Sequence, residues 1–136
     1  LEDYLEAILN CSKDGHGARS RDIALALGVH KSTVTAALKS LGLMGMVHYA
    51  PYEAVTLTNA GRKIAENVAR RHEALLRFFT DVLDVDGETA EKAACGMEHA
   101  MPREILEKMT DFAEEIREFR KSPEHDKYHR KKTRRK

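Results

Sequence analysis

The chain has 136 residues, of which 42% are apolar and 33% charged, with only three Pro and eight Gly. This composition excludes a disordered or collagen-like chain and suits one compact domain, or two small ones sharing a long helix. No apolar run approaches the roughly 18 residues of a membrane span, and no signal-peptide pattern opens the chain. A helical pattern is already under way at Leu1, so native residues are expected upstream. Two Cys without framework spacing point to a reducing compartment, here the cytoplasm, and away from disulfides. The net charge of +1 conceals an asymmetry. Residues 1–71 carry nine Lys/Arg against seven Asp/Glu, residues 72–119 five against thirteen, and residues 120–136 nine against two. A mildly basic front, an acidic middle and a basic tail imply separate tasks along the chain.

Apolar residues at helical spacing (Leu1, Leu5, Ile8, Leu9) predict a first helix over 1–13, ended by Asp14-Gly15-His16-Gly17. Ser20 is a candidate cap for a short helix over 21–27, with Ile23, Ala24 and Leu27 on one face and Gly28 as its stop. A second short helix is predicted over 31–41, turning Val34, Ala37, Leu38 and Leu41 inward, with Gly42 and Gly45 breaking the pattern. Two β-like runs follow, 46–50 and 54–57, joined by Pro51-Tyr52-Glu53. Thr58 or Asn59 opens a long helix reaching about Leu83, which Gly61 in the first turn weakens only slightly. After Asp84-Val85-Asp86-Gly87 a helix is predicted over 88–101. Pro102 fits the first turn of a last helix ending near Arg120. The tail, 121–136, has almost no apolar residues and is expected to be disordered.

Two short helices joined by Gly28-Val29-His30 form a helix-turn-helix candidate, and a hairpin follows directly. That order is the order of a winged helix-turn-helix, in which the second helix enters the major groove. The outward side of that helix carries Lys31, Ser32, Thr33, Thr35, Ala36 and Lys39. Short hydroxyls, a methyl and two cations approach base edges and phosphates without filling the groove: Thr35 and Ala36 toward bases, Ser32, Thr33 and Lys39 toward phosphates. Arg19, Arg21, Lys13 and His48 are further phosphate candidates, whose value lies in their sum. The plain alternative is a solvated face of a three-helix bundle, which the hairpin disfavours.

In the acidic half, Cys95, Glu98 and His99 lie at i, i+3 and i+4, so a helix puts them on one face, and Glu91 extends the stripe. A thiolate, carboxylates and an imidazole within two turns outline a transition-metal site. The alternative is an acidic solvent face with one buried Cys. Asp3 and Glu6, at i and i+3 on the first helix, and His72, beside Arg70 and Arg71, are further potential ligands.

Taken together, Glu2-Asp3-Tyr4-Leu5-Glu6, Arg71-His72-Glu73 and Cys95-x-x-Glu98-His99, in that order behind a winged helix-turn-helix, resemble the diphtheria toxin repressor family of iron- and manganese-dependent regulators. The short manganese transport regulators are the nearest in length, and the resemblance covers about residues 1–120. It implies a mainly α chain with a winged helix-turn-helix over 1–60, a helical metal-binding and dimerisation domain over 61–120 and a basic tail over 121–136. It also implies a homodimer in which divalent metal (Fe²⁺ or Mn²⁺), bound at the domain junction, activates binding to operator DNA. On the same resemblance the ligands are Asp3, Glu6, His72, Cys95, Glu98 and His99, and Glu91 joins the candidates from its place on the helix stripe. Cys95 is similar to the iron-repressor pattern and Asp3 to the manganese one. Leu76 stands where iron repressors carry a carboxylate of a second site, although Glu91 remains available to pair with His72.

The leading expectation is therefore a cytoplasmic, metal-dependent transcriptional repressor, with no membrane partner and no enzymatic role. A Cys nucleophile needs a base and an oxyanion site in a cleft, and no further catalytic signature accompanies Cys95. The competing expectation is a metal-independent winged-helix regulator. The cluster from His129 to Lys136 can neutralise several phosphates. Deleting residues 121–136 is expected to lower nonspecific DNA affinity at low salt in a filter-binding titration. An unchanged low-salt affinity would make the tail a solubilising segment only.

Overall fold

The computed structural model describes all residues except 13, 14, 125, 128, 129 and 131–136. Its elements are α1 (Glu2–Cys11), α2 (Ser20–Leu27), α3 (Lys31–Leu43), β1 (Val47–His48), β2 (Thr56–Leu57), α4 (Asn59–Arg77), a π-helical turn (Phe78–Val82), α5 (Gly87–Met97) and α6 (Arg103–Lys121). Two compact units divide the chain, Leu1–Arg70 and Arg71–Lys136, and the division falls within α4.

In the first unit, α1 to α3 bury one stripe each. Leu5, Ala7 and Ile8 of α1, Ile23 and Ala24 of α2, and Val34, Leu38 and Leu41 of α3 form one core with Val47, Val55 and Ala65. The unit extends to Arg70 because Ile64 and Ala65, in the first turns of α4, pack into that core. Leu1, expected on the apolar stripe, is exposed, since α1 begins only at Glu2. Ser20 is the first residue of α2 and not its cap. Arg19 holds the cap position with extended backbone and no side-chain hydrogen bond. Gly28 ends α2 in the left-handed conformation, at φ 65°, which glycine adopts without a Cβ penalty. Gly42 does not break α3, which runs on to Leu43; Gly45, at φ 72°, stands where the chain turns away.

The hairpin is antiparallel, with Val47 opposite Leu57 and His48 opposite Thr56. A third segment, unforeseen from the sequence, joins it. Ala18 and Val55 exchange backbone hydrogen bonds of 2.8 and 2.7 Å. This approach requires Gly17, where an added Cβ would lie 2.8 Å from the Val55 carbonyl oxygen. The hairpin is tied to α4 through Thr58. Its N–H donates to the Met46 carbonyl at 3.0 Å. Its hydroxyl donates to the Gly45 carbonyl at 2.7 Å and accepts from the Gly61 N–H at 3.1 Å. Thr58 is thus the cap of α4.

The second unit has its own core of Leu75, Ala94 and Leu106, flanked by Ala74, Leu76, Phe79, Met101 and Met109. Asp86 caps α5 by accepting from the Thr89 N–H at 3.0 Å, which holds its carboxyl below the usual carboxylate range. α5 ends at Met97, short of the expected Met101. Pro102 sits just before α6, at its N-terminal cap position, and not in its first turn. Leu106 and Met109 point into this unit's own core, whereas Leu83, Ile105 and Phe112 remain exposed.

Gly61 decides how closely α4 approaches the hairpin. A Cβ there would fall 1.9 Å from the Met46 carbonyl oxygen, so its helix-weakening flexibility is a minor matter beside that contact. Gly61→Ala is expected to destabilise the first unit by about 1–3 kcal/mol. Gly42→Ala, which meets open space inside α3, is expected to be neutral or to stabilise by up to about 1 kcal/mol. Thermal unfolding of the two variants checks the contrast.

Candidate metal centre

The polar centre of the second unit is built where α4 faces α5. His72, on α4, places Nδ1 2.6 Å from Glu98 Oε2 and Nε2 2.9 Å from Glu91 Oε1. Cys95 Sγ lies 3.8 Å from His72 Nδ1 and 3.9 Å from Glu91 Oε1. Ligand atoms of His72, Glu91 and Cys95 all lie within 4.8 Å of one another. His99 Nε2 is 3.3 Å from Glu98 Oε1. The Arg71 guanidinium donates to the Glu98 main-chain carbonyl at 3.3 Å.

Burial separates two of these residues. Cys95 is exposed, while Glu98 is 1% exposed. Glu91, Cys95 and Glu98 all face His72, although α5 proper stops at Met97. Glu98 occupies the C-cap position and His99 lies in the turn beyond it. The alternative of a buried Cys on an acidic solvent face is therefore incorrect. Leu76 packs against the apolar core, and Glu91, one helix away, supplies a carboxylate to His72 instead.

A buried carboxylate is tolerated only with a cation or strong donors beside it. Here burial alone would pull the His72 pKa down. The hydrogen bonds from Glu98 and Glu91, and their charges, outweigh it, so the imidazole holds its proton above the ordinary value of 6.5. That proton stands where a divalent cation would neutralise the same carboxylates. The donor set suits such an ion. His72 can donate Nδ1–H to Glu98 and keep Nε2 as a ligand beside Glu91, the carboxylate–histidine–metal arrangement that orients a ligating imidazole.

Asp3 and Glu6 belong to α1 in the first unit, Asp3 exposed and Glu6 half-buried. The DNA-facing candidates also lie there. Lys31, Ser32, Thr33, Ala36 and Lys39 are exposed along α3, whose first turn contains no acidic residue. Thr35 is half-buried and its hydroxyl donates to the Lys31 carbonyl at 3.0 Å, which leaves its methyl and oxygen lone pairs for recognition. Arg19 and Arg21 are exposed at the start of α2, and Arg21 Nε is 3.9 Å from Asp22. Lys39 and His48 line an open cleft between α3 and the hairpin. Lys13, and the tail cluster His129–Lys136 apart from Arg130, lie outside the described residues. Sequence reasoning missed Arg71 as more than a neighbour of His72. The only signal was Pro102, four residues after Glu98.

Residues 1–55 match the family model described as the iron dependent repressor, N-terminal DNA binding domain. Residues 58–132 match that of the iron dependent repressor, metal binding and dimerisation domain. An uncharacterized HTH-type transcriptional regulator of Methanocaldococcus jannaschii is 34% identical over 119 residues, covering 87% of this chain and 95% of the relative. The transcriptional regulator MntR of Escherichia coli O157:H7 is 36% identical over 114 residues, covering 84% and 73%. Among solved structures, a manganese-dependent transcriptional repressor in complex with manganese superposes with a TM-score of 0.73 at 26% identity, covering 82% of this chain and 51% of that one. IdeR of T. acidophilum gives 0.70 at 27%, covering 81% and 52%. The chain thus spans about half the length of these solved structures.

If His72 is a metal ligand, protons and metal compete for it, and the sign of the pH effect follows. With its folded pKa raised, protonated His72 contributes stability to the metal-free protein below about pH 6.5, and this is lost as pH rises through the raised value. Metal affinity is expected to rise over the same range, because binding must displace the proton. Co²⁺ titrations at pH 6 and pH 8 check this; equal affinity at both would contradict it.

Proposed function

The chain belongs to the iron-dependent repressor family, and on that premise we propose that it is a metal-dependent, DNA-binding transcriptional repressor of iron or manganese homeostasis. One observation carries the reading: His72, Glu91 and Cys95 gather ligand atoms within 4.8 Å in the half that matches the metal-binding model, behind a winged helix-turn-helix. His72, Glu91 and Cys95, with Glu98 and His99 beside them, would hold the ion. A bound divalent ion supplies the positive charge that the carboxylates require. Thiolate at position 95 favours Fe²⁺, Co²⁺ or Zn²⁺ over the harder Mn²⁺, and the surrounding carboxylates favour Mn²⁺. Asp3 and Glu6 enter the ligand set on the family resemblance.

The ion activates DNA binding to the extent that it binds the operator-competent conformation more tightly. A preference of about a hundredfold supplies about 2.7 kcal/mol, enough to move a marginal equilibrium. The protein acts as a homodimer, since the exposed Leu83, Ile105 and Phe112 offer apolar surface for symmetric pairing. Two recognition helices then read half-sites about 34 Å apart. Among the described residues no helix is long and apolar enough to cross a membrane.

A mobility-shift assay with chelator and with added Mn²⁺, Fe²⁺ or Co²⁺ tests the reading. Metal is expected to stimulate operator binding in the wild type and not in His72→Ala. Equal binding with chelator would identify a metal-independent regulator. On the DNA side, Lys39→Ala is expected to weaken binding to all sequences alike and to reduce the slope of log K against log salt by about one. Altered sequence preference with an unchanged salt slope would place Lys39 on a base.

A further inference from the structure

α5 ends in an unusual position for a helix that carries functional groups at its last turn. Its C-cap residue is Glu98, and a continuing helix would satisfy the Glu98 carbonyl with the N–H of the residue four positions on. That residue is Pro102, whose nitrogen carries no hydrogen. The carbonyl must find another donor, and the Arg71 guanidinium provides it at 3.3 Å. A cation there also suits the negative end of the helix dipole. The next residue of α4, His72, holds the carboxylate of the same Glu98 at 2.6 Å. Two consecutive residues of one helix therefore grip residue 98 by its main chain and by its side chain. His99 follows through the very peptide group whose oxygen Arg71 binds.

The geometry points to Arg71 as a positioning residue for the metal centre, an inference that rests on the metal-dependent reading above. Arg71 supplies no ligand. By fixing the Glu98 peptide it fixes both the Glu98 carboxylate and the start of the His99 side chain relative to α4 and hence to His72. Two effects of Arg71 on a bound cation oppose each other. Its charge repels the ion and lowers affinity. Its hydrogen bond preorganises the donors and raises affinity, and removing such outer partners costs about 10–100-fold in metal affinity. Arg71 is half-buried, so solvent screens the Coulomb part only in part; the positional part is expected to prevail.

The sign of the change separates the two. The full chain and its Arg71→Met and Arg71→Lys variants are titrated with Co²⁺, following the thiolate charge-transfer and d–d absorption bands. Arg71→Met keeps the length of the side chain but removes donor and charge. It is expected to bind Co²⁺ about 10–100-fold more weakly, with altered d–d bands that report changed donor geometry. Arg71→Lys keeps a donor and a charge and is expected to bind about as the wild type does. Tighter or unchanged binding by a folded Arg71→Met would overturn the proposal. Should Arg71→Met fail to fold, as judged by circular dichroism, a tenfold or greater loss in Arg71→Lys would overturn it equally. If the wild-type chain itself takes up no Co²⁺, the metal-dependent reading fails and the role of Arg71 falls with it. If the wild type binds and Arg71→Met does not lose affinity, only the role of Arg71 fails.

Discussion

The carboxylate of Glu98 is almost wholly removed from water, and much of the second unit is organised around meeting its charge. Burial of an ion is costly unless a partner of opposite sign and good geometry is at hand. His72 is that partner at 2.6 Å, and Glu91 on the far side of the ring strengthens its hold on a proton. The two carboxylates thus favour a positive charge on the ring between them. On the proposed function, a divalent ion would exchange for that proton and meet carboxylates already in place. The same constraint explains why the centre joins α4 to α5: neither helix alone carries both the imidazole and the carboxylates.

The first unit solves a different problem. A recognition helix is useful only if it is held rigidly while most of its outer face stays bare. α3 is fastened by Val34, Leu38 and Leu41 on its inner side. The hairpin is fastened at its ends rather than along its length, because each strand is only two residues long. Ala18 clamps one side of it, and Thr58 with Gly61 clamps the other. With these anchors the exposed Lys31, Ser32, Thr33, Ala36 and Lys39 need take no part in holding the fold. The tip of the hairpin is equally bare. Tyr52 stands fully exposed at φ 66°, a conformation uncommon for an aromatic residue.

The apolar residues of the second unit divide between two tasks. Leu75, Ala94 and Leu106 close its core, and Phe78 packs near Phe112 with ring centroids 6.4 Å apart. Leu83, Ile105 and Phe112 still show surface. α6 therefore serves its own unit with one side and keeps apolar residues exposed on the other.

Much of this was determined by the sequence alone. Helical periodicity, glycine stops and the hairpin turn located six helices and two strands, because those signals are local. The order of Asp3, Glu6, His72, Cys95, Glu98 and His99 behind a winged helix-turn-helix was enough to suggest the family. Tertiary structure decided what local rules could not. Spacing placed Cys95 and Glu98 on one helix face, yet only the packed structure shows Cys95 exposed and Glu98 buried, with the Glu98 main chain held by Arg71 from 27 residues away. Gly61 reads as a mild helix breaker until the Met46 carbonyl is found against it. Ala18 carries no strand signal, and its pairing with Val55 exists because Gly17 admits the close approach. Periodicity reports which faces are apolar; only packing reports what each face meets.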